Sequence, residues 1–539
     1  MGNVNVTANF PRYGVIMAGQ VLIVGAGPTG LALALWLAGQ GVAVRVIDRT
    51  AEPGTTSRAL AVQARTLELY GQQGLAEEIV RRGHKTPSVN LWARGKKAAR
   101  VPLSDIGEDM TPFPFLLIFP QDEHERLLIE RLTAMGVAVE RRTELLGFED
   151  DVEGVTARIR RPGGEEESVR VAYVAGCDGS RSTVRETLGI GFPGGVYRQR
   201  FYVADVDAEG PPMDGELHID LDEADFLAVF PMSGSGRARV IGTVSDERAD
   251  RGEALTFDDV SGRAIENMRL VVRRVNWFST YRVHHRVAAQ FRSGRAFLLG
   301  DAAHVHSPAG GQGMNTGIGD AINLAWKLAA VMAGTASDAL LDSYQAERIS
   351  FARRLVATTD RAFSLATGEG PVADILRTRI VPILAPLVLA ARPAREFLFR
   401  TVSQITLNYR GGPLADGVAG RVHGGDRLPW VPGAPDDNFA PLTSAVWQIH
   451  VYGVATPELV EWCDADGPPL HVFAWRPEYA AAGLERDALY LLRPDTYVAL
   501  ASRSQSPAAV RAYFAERRIV IGRAAPGDQD RKVDPPLPA

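Results

Sequence analysis

The chain has 539 residues, which is long enough for two or three domains with large cores. Hydrophobic residues make up 46% and charged residues 23%, and the net charge is −5; this composition fits a globular protein and argues against a nucleic-acid partner. Two cysteines are too few for a disulfide framework, and the longest apolar runs are shorter than the about 20 residues that cross a bilayer. We therefore expect a cytoplasmic protein outside the membrane, with a flexible extension over residues 1–17 rather than a signal peptide.

A glycine-rich turn follows the first predicted strand. Apolar residues 21–24 lead into Gly25-x-Gly27-x-x-Gly30, and a helical pattern and a second apolar run that ends at Asp48 come next. In a dinucleotide-binding βαβ unit the first glycine permits the turn, the second admits the pyrophosphate and the third lets the helix pack on the strand. The helix N-terminus then faces the phosphates, and Asp48 lies where a carboxylate accepts from ribose hydroxyls. An ordinary βαβ unit explains the turn and Asp48 less well.

Two polar side chains after this unit have two interpretations each. Arg58 lies in the loop after the second strand, where it is either a surface cation or a planar fork that reaches phosphate oxygens. Gln121 stands between a predicted strand at 115–119 and a helix at about 122–135, and it either starts that helix or contacts a ligand. The residues by themselves leave both alternatives open.

A second motif, at 177–185, combines a carboxylate, hydroxyls and an arginine directly after a predicted strand. Ser182 or Thr183 can cap the next helix, Asp178 can hold ribose hydroxyls or fix the loop, and Arg185 can neutralise a pyrophosphate. A capped helix after a strand explains the same residues without a ligand.

Residues 191–290 have a different pattern, with several runs of strand length and one helix near 258–268. We expect a mostly antiparallel sheet that is inserted between the nucleotide-binding segments. Its aromatic residues are core residues by default, and some can line an apolar pocket for a flat ligand. Four stretches between residues 137 and 174 predict a β-meander ahead of the second motif.

The third motif joins a strand to a long helix, 318–332, through a loop that carries Gly300, Asp301 and further glycines. Such a loop presents unblocked N–H groups to a developing anion, and Asp301 can hold polyol hydroxyls. His304 and His306 could form a pair of metal ligands, but no third ligand is apparent from the sequence. We therefore expect both histidines to be structural and predict no metal site.

The C-terminal part of the chain changes pattern twice. Residues 371–424 predict a helical connector broken by prolines, and 425–522 predict a separate small α/β domain. No Cys-x-x-Cys is present in that domain, so thiol redox chemistry is not expected there. The Pro- and charge-rich tail, 523–539, is predicted to be disordered.

Together, in this order, the three motifs resemble those of the single-component FAD-dependent aromatic hydroxylases, class A flavoprotein monooxygenases with the fold of para-hydroxybenzoate hydroxylase. The closer similarity, over roughly residues 20–520, is to the branch with a thioredoxin-like C-terminal domain, which includes phenol hydroxylases, rifampicin monooxygenase and polyketide-tailoring hydroxylases. The resemblance implies an α/β fold in which a Rossmann-like FAD-binding domain is interleaved with an antiparallel-sheet substrate domain and followed by a C-terminal thioredoxin-like α/β domain. The implied bounds are 18–190 and 285–370 for the FAD-binding domain, with strands in 89–119 on the substrate side, 191–284 for the substrate domain, 371–424 for the connector and 425–522 for the thioredoxin-like domain.

The resemblance also implies which residues bind FAD. They are Gly25, Gly27, Thr29 and Gly30 at the ADP half; Asp48 at the ribose with Arg49 beside it; Arg58 near the pyrophosphate and flavin; Gln121; Asp178, Thr183 and Arg185, which serve both FAD and NAD(P)H; Asp301 at the ribityl or pyrophosphate region; and Gly313, Met314 and Asn315 at the flavin N1–C2=O edge. Pro308 is expected near the flavin, and no side chain is assigned as catalytic.

The implied activity is hydroxylation of a phenolic or polycyclic, polyketide-like aromatic by FAD, NADPH or NADH, and molecular oxygen, through a flavin C4a-hydroperoxide. The 191–290 sheet, the 89–119 segment and the loop at Pro308 would form the walls of the substrate pocket. Baeyer–Villiger insertion or epoxidation on the same scaffold is one alternative. A protein that binds and sequesters an aromatic compound without catalysis is another. The protein would act as a monomer or a homodimer.

Overall fold

The computed structural model describes residues 19–54, 59–93, 95–103, 106–220, 226–232, 234, 236–244, 255–260, 262–307, 311–367, 391–433 and 437–521. Arg58, Pro308 and residues 371–390 of the predicted connector lie outside the described residues, as do the two predicted tails. Within the described ranges, none of the helices combines the length and apolarity that crossing a bilayer requires.

The strands are numbered here in chain order. They are β1 (Val21–Val24), β2 (Val44–Asp48), β3 (Ala61–Val62), β4 (His84–Thr86), β5 (Ser88–Ala93), β6 (Lys96–Pro102), β7 (Leu116–Ile118), β8 (Val139–Arg141), β9 (Glu144–Asp151), β10 (Gly154–Arg160), β11 (Glu166–Val171), β12 (Tyr173–Gly176), β13 (Gly194–Glu209), β14 (Leu217–Asp220), β15 (Leu227–Pro231), β16 (Arg237–Val244), β17 (Val271–Val287), β18 (Arg292–Ser293), β19 (Ala296–Leu298), β20 (His304–Val305), β21 (Asp416–Ala419), β22 (Val422–His423), β23 (Gln448–Tyr452), β24 (Leu470–Phe473), β25 (Leu489–Leu492) and β26 (Val498–Ser502).

The α-helices are numbered in the same way. They are α1 (Pro28–Gly39), α2 (Ala64–Tyr70), α3 (Ala76–Arg82), α4 (Gln121–Ala134), α5 (Thr183–Thr187), α6 (Gly262–Asn267), α7 (Gly313–Met332), α8 (Asp342–Thr367), α9 (Arg392–Val402), α10 (Pro457–Ala465), α11 (Pro477–Ala482) and α12 (Pro507–Glu516).

A six-stranded sheet carries the three sequence motifs. Its parallel strands run in the order β8–β2–β1–β12–β19, and β18 pairs antiparallel with β19 at the edge. All four residues of β1 and of β12 are buried, as expected for the central strands of a parallel sheet, whose two faces are both covered. The apolar runs of the sequence therefore form the centre of the largest hydrophobic core.

The predicted β-meander over residues 137–174 is wrong at both ends. Only β9, β10 and β11 form a three-stranded antiparallel sheet. The two outer pieces belong to the parallel sheet, where β8 pairs with β2 and β12 pairs with β1. Short apolar runs of this kind indicate strands, but their partners are chosen by the tertiary fold, which local alternation does not record.

An eight-stranded sheet forms the second layer, in the order β20–β17–β13–β16–β15–β14–β5–β6. The predicted antiparallel sheet of the 191–290 stretch is present, and its two long strands, β13 and β17, pair over most of their length. Two earlier strands extend it, since β5 pairs parallel with β14 and antiparallel with β6. The third strand expected near 89–119, β7, instead pairs with β3 and β4 in a small separate sheet.

Buried charges join the C-terminal sheet to helices α7 and α8. Arg493 donates to Glu347 at 2.6 Å and to Asp495 at 2.5 Å, and Lys327 lies 2.8 Å from the second oxygen of Glu347. These four side chains are at most 3% exposed. Burial lowers the pKa of Lys327 to about 8, whereas Arg493 and Lys327 overcome burial and lower the pKa of Glu347 to about 2.

We expect Glu347→Gln to destabilise the protein by about 3 kcal/mol, because it leaves Lys327 and Arg493 buried with less compensating charge. The thermal midpoint should then fall by a few degrees, on the order of 5 °C, measured by circular dichroism. Glu209→Gln is the control, since Glu209 pairs with Arg273 on the surface and both side chains are more than half exposed. An equal loss in both variants would contradict the prediction.

The same substitution should change the response to acid. The pKa of Glu347 is lowered from 4.5 when unfolded to about 2 when folded, so its contribution to stability is present above pH 4.5 and is lost as the pH falls toward 2. The difference in thermal midpoint between wild type and Glu347→Gln should therefore shrink on acidification through this window. A difference that stays constant from pH 5 to pH 2.5 would contradict this assignment.

Candidate cofactor-binding site

The turn between β1 and α1 requires its glycines for three different reasons. Gly25 has φ of 105°, and a Cβ there would overlap the carbonyl of Cys177. A Cβ on Gly30 would overlap the carbonyl of Gly25, so α1 and β1 touch through backbone. A Cβ on Gly27 would meet nothing within 4 Å, and no side chain caps the first turn of α1. The turn therefore presents open space and free helix N–H groups at the position that suits a phosphate.

The Asp48 carboxylate lies beside this turn and is hydrogen-bonded to it. Its Oδ2 accepts the N–H of Ala26 at 2.7 Å, and its Oδ1 accepts from the backbone and hydroxyl of Thr50 at 2.7 and 2.6 Å. The side chain remains 13% exposed, and Arg49 beside it is exposed. The carboxylate predicted to bind a ribose thus ties the end of β2 to the glycine turn.

The third motif packs against the first through Thr29. A Cβ on Gly300, whose φ is 55°, would lie 2.6 Å from the Thr29 hydroxyl, and a Cβ on Gly317 would overlap the same oxygen. Helix α1 therefore inserts between the end of β19 and helix α7 only because two glycines make room. Asp301, next to Gly300, is exposed at this junction.

The second motif completes the contact among the three. Ser182 caps α5 by accepting the N–H of Arg185 at 3.0 Å, with Thr183 as the first residue of the helix. Arg185 is 6% exposed, and its guanidinium donates to the carbonyls of Ala302 at 2.9 Å and Ser180 at 2.8 Å. Arg185 thus ties the second motif to the third, a role that its expected contact with pyrophosphate did not include.

Asp178 is half-buried, and one of its two carboxylate oxygens is satisfied by the protein. Its Oδ2 accepts the N–H of Val184 at 3.2 Å, while its Oδ1 is buried with no hydrogen-bond partner among the described residues. Burial raises the pKa of this carboxyl above its ordinary value. A hydroxyl donor from a ligand would satisfy the second oxygen.

Gln121 is the first residue of α4, and its contact with a ligand stays a prediction. Its Nε2 donates to Glu125 at 2.8 Å, and the other oxygen of Glu125 accepts the N–H of Gly54 at 3.0 Å. The glutamine therefore lies on the wall formed by the loop after β2. Burial raises the pKa of Glu125 as well.

The side-chain amide of Asn315 makes four hydrogen bonds within the protein. Its Oδ1 accepts from the N–H of Gln63 at 2.9 Å and the hydroxyl of Thr66 at 2.8 Å, and its Nδ2 donates to the carbonyls of Ala61 and Gly311. This side chain fixes the start of α7 against β3 and α2. Gly313 and Met314 open the same helix, whose first turn has no side-chain cap. Its N–H groups are therefore available to an acceptor, which is the property expected of a flavin carbonyl site.

The carboxylate of Asp320, which the sequence motifs did not single out, supports this loop. Asp320 is fully buried in α7 and accepts from the N–H of Gly300 at 3.0 Å and from His304 Nε2 at 2.7 Å. The signal was available: Asp320, Asn323 and Lys327 follow one another at helical spacing on a helix that is otherwise rich in Ala and Leu. Polar residues on one buried stripe indicate a satisfied internal network.

The two histidines do not meet a third ligand within the described ranges. His304 bonds to Asp320, and His306 Nδ1 lies 2.7 Å from the carbonyl of Ser307, while burial lowers the pKa of His306 to about 4. No group of three or more His, Cys, Asp or Glu side chains suited to a metal occurs in the part of the chain that the structure describes.

The two faces of the eight-stranded sheet differ, and one of them, here called the half-open aromatic face, carries a buried ring with half-buried rings around it. Tyr202 and Ala204 point to the face that α6 covers. Because side chains alternate along a strand, Phe201 points the other way, where it packs with the half-buried rings of Phe226 and Tyr281. This second face offers flat apolar surface to a ligand.

Comparison with known proteins agrees with this geometry. A model of the FAD binding domain family matches residues 18–359. The chain is 35% identical to 6-methylpretetramide 4-monooxygenase from Streptomyces rimosus over 95% of its own length and 96% of that protein, and 35% identical to rifampicin monooxygenase from Streptomyces venezuelae over 73% and 80%. Among solved structures it resembles OxyS anhydrotetracycline hydroxylase from Streptomyces rimosus, with a TM-score of 0.74 and 30% identity over 92% of this chain and 98% of that one.

The chain therefore belongs to the FAD-binding family of flavin-dependent monooxygenases, and the resemblance drawn from its three motifs is confirmed. It is an FAD-dependent enzyme with NAD(P)H as the co-substrate. The residues at the motifs fit this cofactor, because Gly27 leaves room for phosphates, two helices have uncapped first turns, and Asp178 has a buried acceptor without a partner.

Two glycine substitutions should separate the fold from cofactor binding. Gly30→Ala places a methyl group on the Gly25 carbonyl, so we expect little folded protein. Gly27→Ala meets no protein atom, so its circular dichroism should match wild type, while its affinity for FAD falls by roughly tenfold or more, the cost of about 1.4 kcal/mol of steric conflict. Flavin retained on purification gives the readout. Full flavin content in Gly27→Ala would contradict the assignment of this turn to the phosphates.

Proposed function

We propose that this monooxygenase hydroxylates a polycyclic aromatic, polyketide-like compound with FAD, NADPH or NADH, and molecular oxygen. The observation that supports the cofactor site most is the convergence of the three motifs beyond the carboxyl ends of β1, β12 and β19, where parallel sheets bind nucleotides. Bound FAD supplies the redox chemistry of oxygen. The residues of the chain bind and orient the ligands and exclude water.

The residue roles follow from what each position offers. The turn with Gly27 between Gly25, Thr29 and Gly30 would hold the pyrophosphate, and Asp48 and Arg49 the adenosine ribose. The remaining contacts are assigned to the other motifs, with Gln121 at the wall of the adenosine side, Asp178, Thr183 and Arg185 near the pyrophosphate and NAD(P)H, Asp301 at the ribityl chain, and Gly313, Met314 and Asn315 presenting the helix N-terminus to the flavin ring.

The half-open aromatic face of the eight-stranded sheet is the proposed wall of the substrate pocket. The half-buried rings of Phe226 and Tyr281, which pack on the buried ring of Phe201, offer apolar surface to a fused polycycle. Arg239 shares this face by alternation, but its guanidinium is bonded to both oxygens of Asp205 at 2.5 and 2.7 Å. Because that cation is already compensated, a neutral phenolic ring system suits the face better than an aryl carboxylate.

We assign the C-terminal unit to the thioredoxin-like fold without its redox motif. In support, β23, α10, β24, α11, β25, β26 and α12 follow in the order of that fold, with β23 parallel to β24 and antiparallel to β25. The proposed bounds are those predicted for the FAD-binding segments and the sheet domain. The C-terminal unit is proposed to begin earlier than residue 425, since β21 and β22, which lie inside the predicted connector, join its sheet through β26. The proposed enzyme works in the cytoplasm as a monomer or homodimer and without nucleic acid.

Oxidation of NADH and NADPH by purified protein, measured with phenols and tetracyclic polyketides and with parallel assay of hydrogen peroxide, tests the activity. A substrate should accelerate oxidation while peroxide release stays low, because oxygen is then transferred to the ring. Nuclear magnetic resonance of the product distinguishes a phenol from a lactone or an epoxide. A compound that binds tightly without accelerating oxidation in flavin-loaded protein would favour sequestration over catalysis.

A pair of substitutions tests the proposed pocket wall. Phe226→Leu should raise KM by roughly tenfold and increase the share of peroxide, because the ring that faces the substrate is lost. Phe257→Leu is the matched control, since Phe257 packs on Tyr202 and Phe278 at the opposite face. Flavin content should be the same in both. Similar kinetics for the two variants would exclude this face from the substrate site.

A further inference from the structure

One buried chain of side chains supports the third motif at both of its ends. Asp320 Oδ2 accepts the N–H of Gly300 at 3.0 Å, directly after β19. Its other oxygen, Oδ1, accepts from Arg348 Nε at 2.5 Å. Arg348 Nη2 then donates to the carbonyl of Thr316 at 2.9 Å, in the first turn of α7. The loop is thus held by one carboxylate and one guanidinium, both at most 1% exposed.

The chain continues into the segment after helix α9. The remaining Nη1 of Arg348 donates to the hydroxyl of Tyr409 at 2.9 Å. Tyr409 is 5% exposed and lies within the predicted connector, far in sequence from the strands of the parallel sheet. Gly319 makes room for this path, since a Cβ there would lie 3.2 Å from Arg348 Nη2.

The same segment, residues 401–409, makes three more contacts with the start of α7 and with α2. Gln404 Nε2 donates to the hydroxyl of Thr316 at 3.0 Å, and Gln312 Nε2 donates to the carbonyl of Thr401 at 3.4 Å. The N–H of Arg65 donates to the carbonyl of Ser403 at 3.1 Å. Residues 401–409, here called the strap, therefore connect the start of α7 to α2.

We propose that Asp320, Arg348 and Tyr409 are positioning residues for FAD, through which the 401–409 strap sets the affinity for the flavin and its reduction potential. The inference rests on the proposed function, which assigns Asp301 and Gly313–Asn315 to the cofactor. Donors act on a developing charge only when they are held in place, and the chain fixes the peptide before Asp301 and the turn that contains Asn315. The reduction potential responds because the N–H groups near the flavin ring stabilise the more negative reduced form.

Tyr409→Phe tests the inference with the smallest possible change. It removes one hydroxyl from Arg348 and keeps the ring, so the fold is retained. We expect the dissociation constant for FAD, measured by flavin fluorescence, to rise roughly fivefold, the lower end of ordinary coupling between sites. The reduction potential should become more negative, and the visible spectrum of the bound flavin should shift.

Tyr490→Phe is the matched control. The hydroxyl of Tyr490 is also buried, accepts the N–H of Glu485 at 2.8 Å and donates to the carbonyl of Ala419 at 3.2 Å, but it lies within the C-terminal sheet. The thermal midpoint of Tyr490→Phe should fall about as far as that of Tyr409→Phe. Its affinity for FAD, its flavin reduction potential and its visible spectrum should match those of the wild type. Unchanged affinity and potential in Tyr409→Phe, or equal changes in both variants, would overturn the inference alone. Failure of the wild-type protein to bind FAD would overturn the proposed function and the inference together.

Discussion

The close approach of three backbone segments at the end of the parallel sheet is the constraint on which the site depends. Gly30 lets α1 touch the turn at Gly25, and Gly300 and Gly317 let Thr29 enter between β19 and α7. Nothing larger than hydrogen fits at these positions, so the three motif loops can only form together. Glycine loses more backbone entropy on folding than any other residue, and the fully buried apolar core around β1 and β12 offsets that cost.

The polar groups around this contact fall into two sets. One set is satisfied by the protein, since Asn315 makes four hydrogen bonds, Arg185 connects two motifs, and Asp320 accepts the N–H of Gly300. The other set, which includes Asp178 Oδ1 and the first turns of α1 and α7, has unused hydrogen-bonding capacity. A site built in this way is rigid before the ligand arrives, which lowers the entropic cost of binding.

The two layers of the molecule divide the work. The parallel sheet supplies the cofactor turns, because its strands end together, whereas the antiparallel sheet supplies a broad wall whose faces differ. One face is sealed by α6, and the other presents the rings around Phe201. Under the proposed function, substrate choice changes by substitution on that face without disturbing the cofactor contacts. The C-terminal unit is joined to α7 and α8 by the charges buried around Glu347.

The sequence by itself determined the three nucleotide motifs, the antiparallel character of the central stretch and the family, because glycine spacing, capping residues and strand alternation are local consequences of backbone geometry. Only the tertiary structure decided the partners of β8 and β12, the two-sided use of Asp48 and Arg185, and the chain from Asp320 to Tyr409. These depend on residues that are tens to hundreds of positions apart. A buried charge has to find its partner wherever the fold brings one, and sequence spacing carries no record of that meeting.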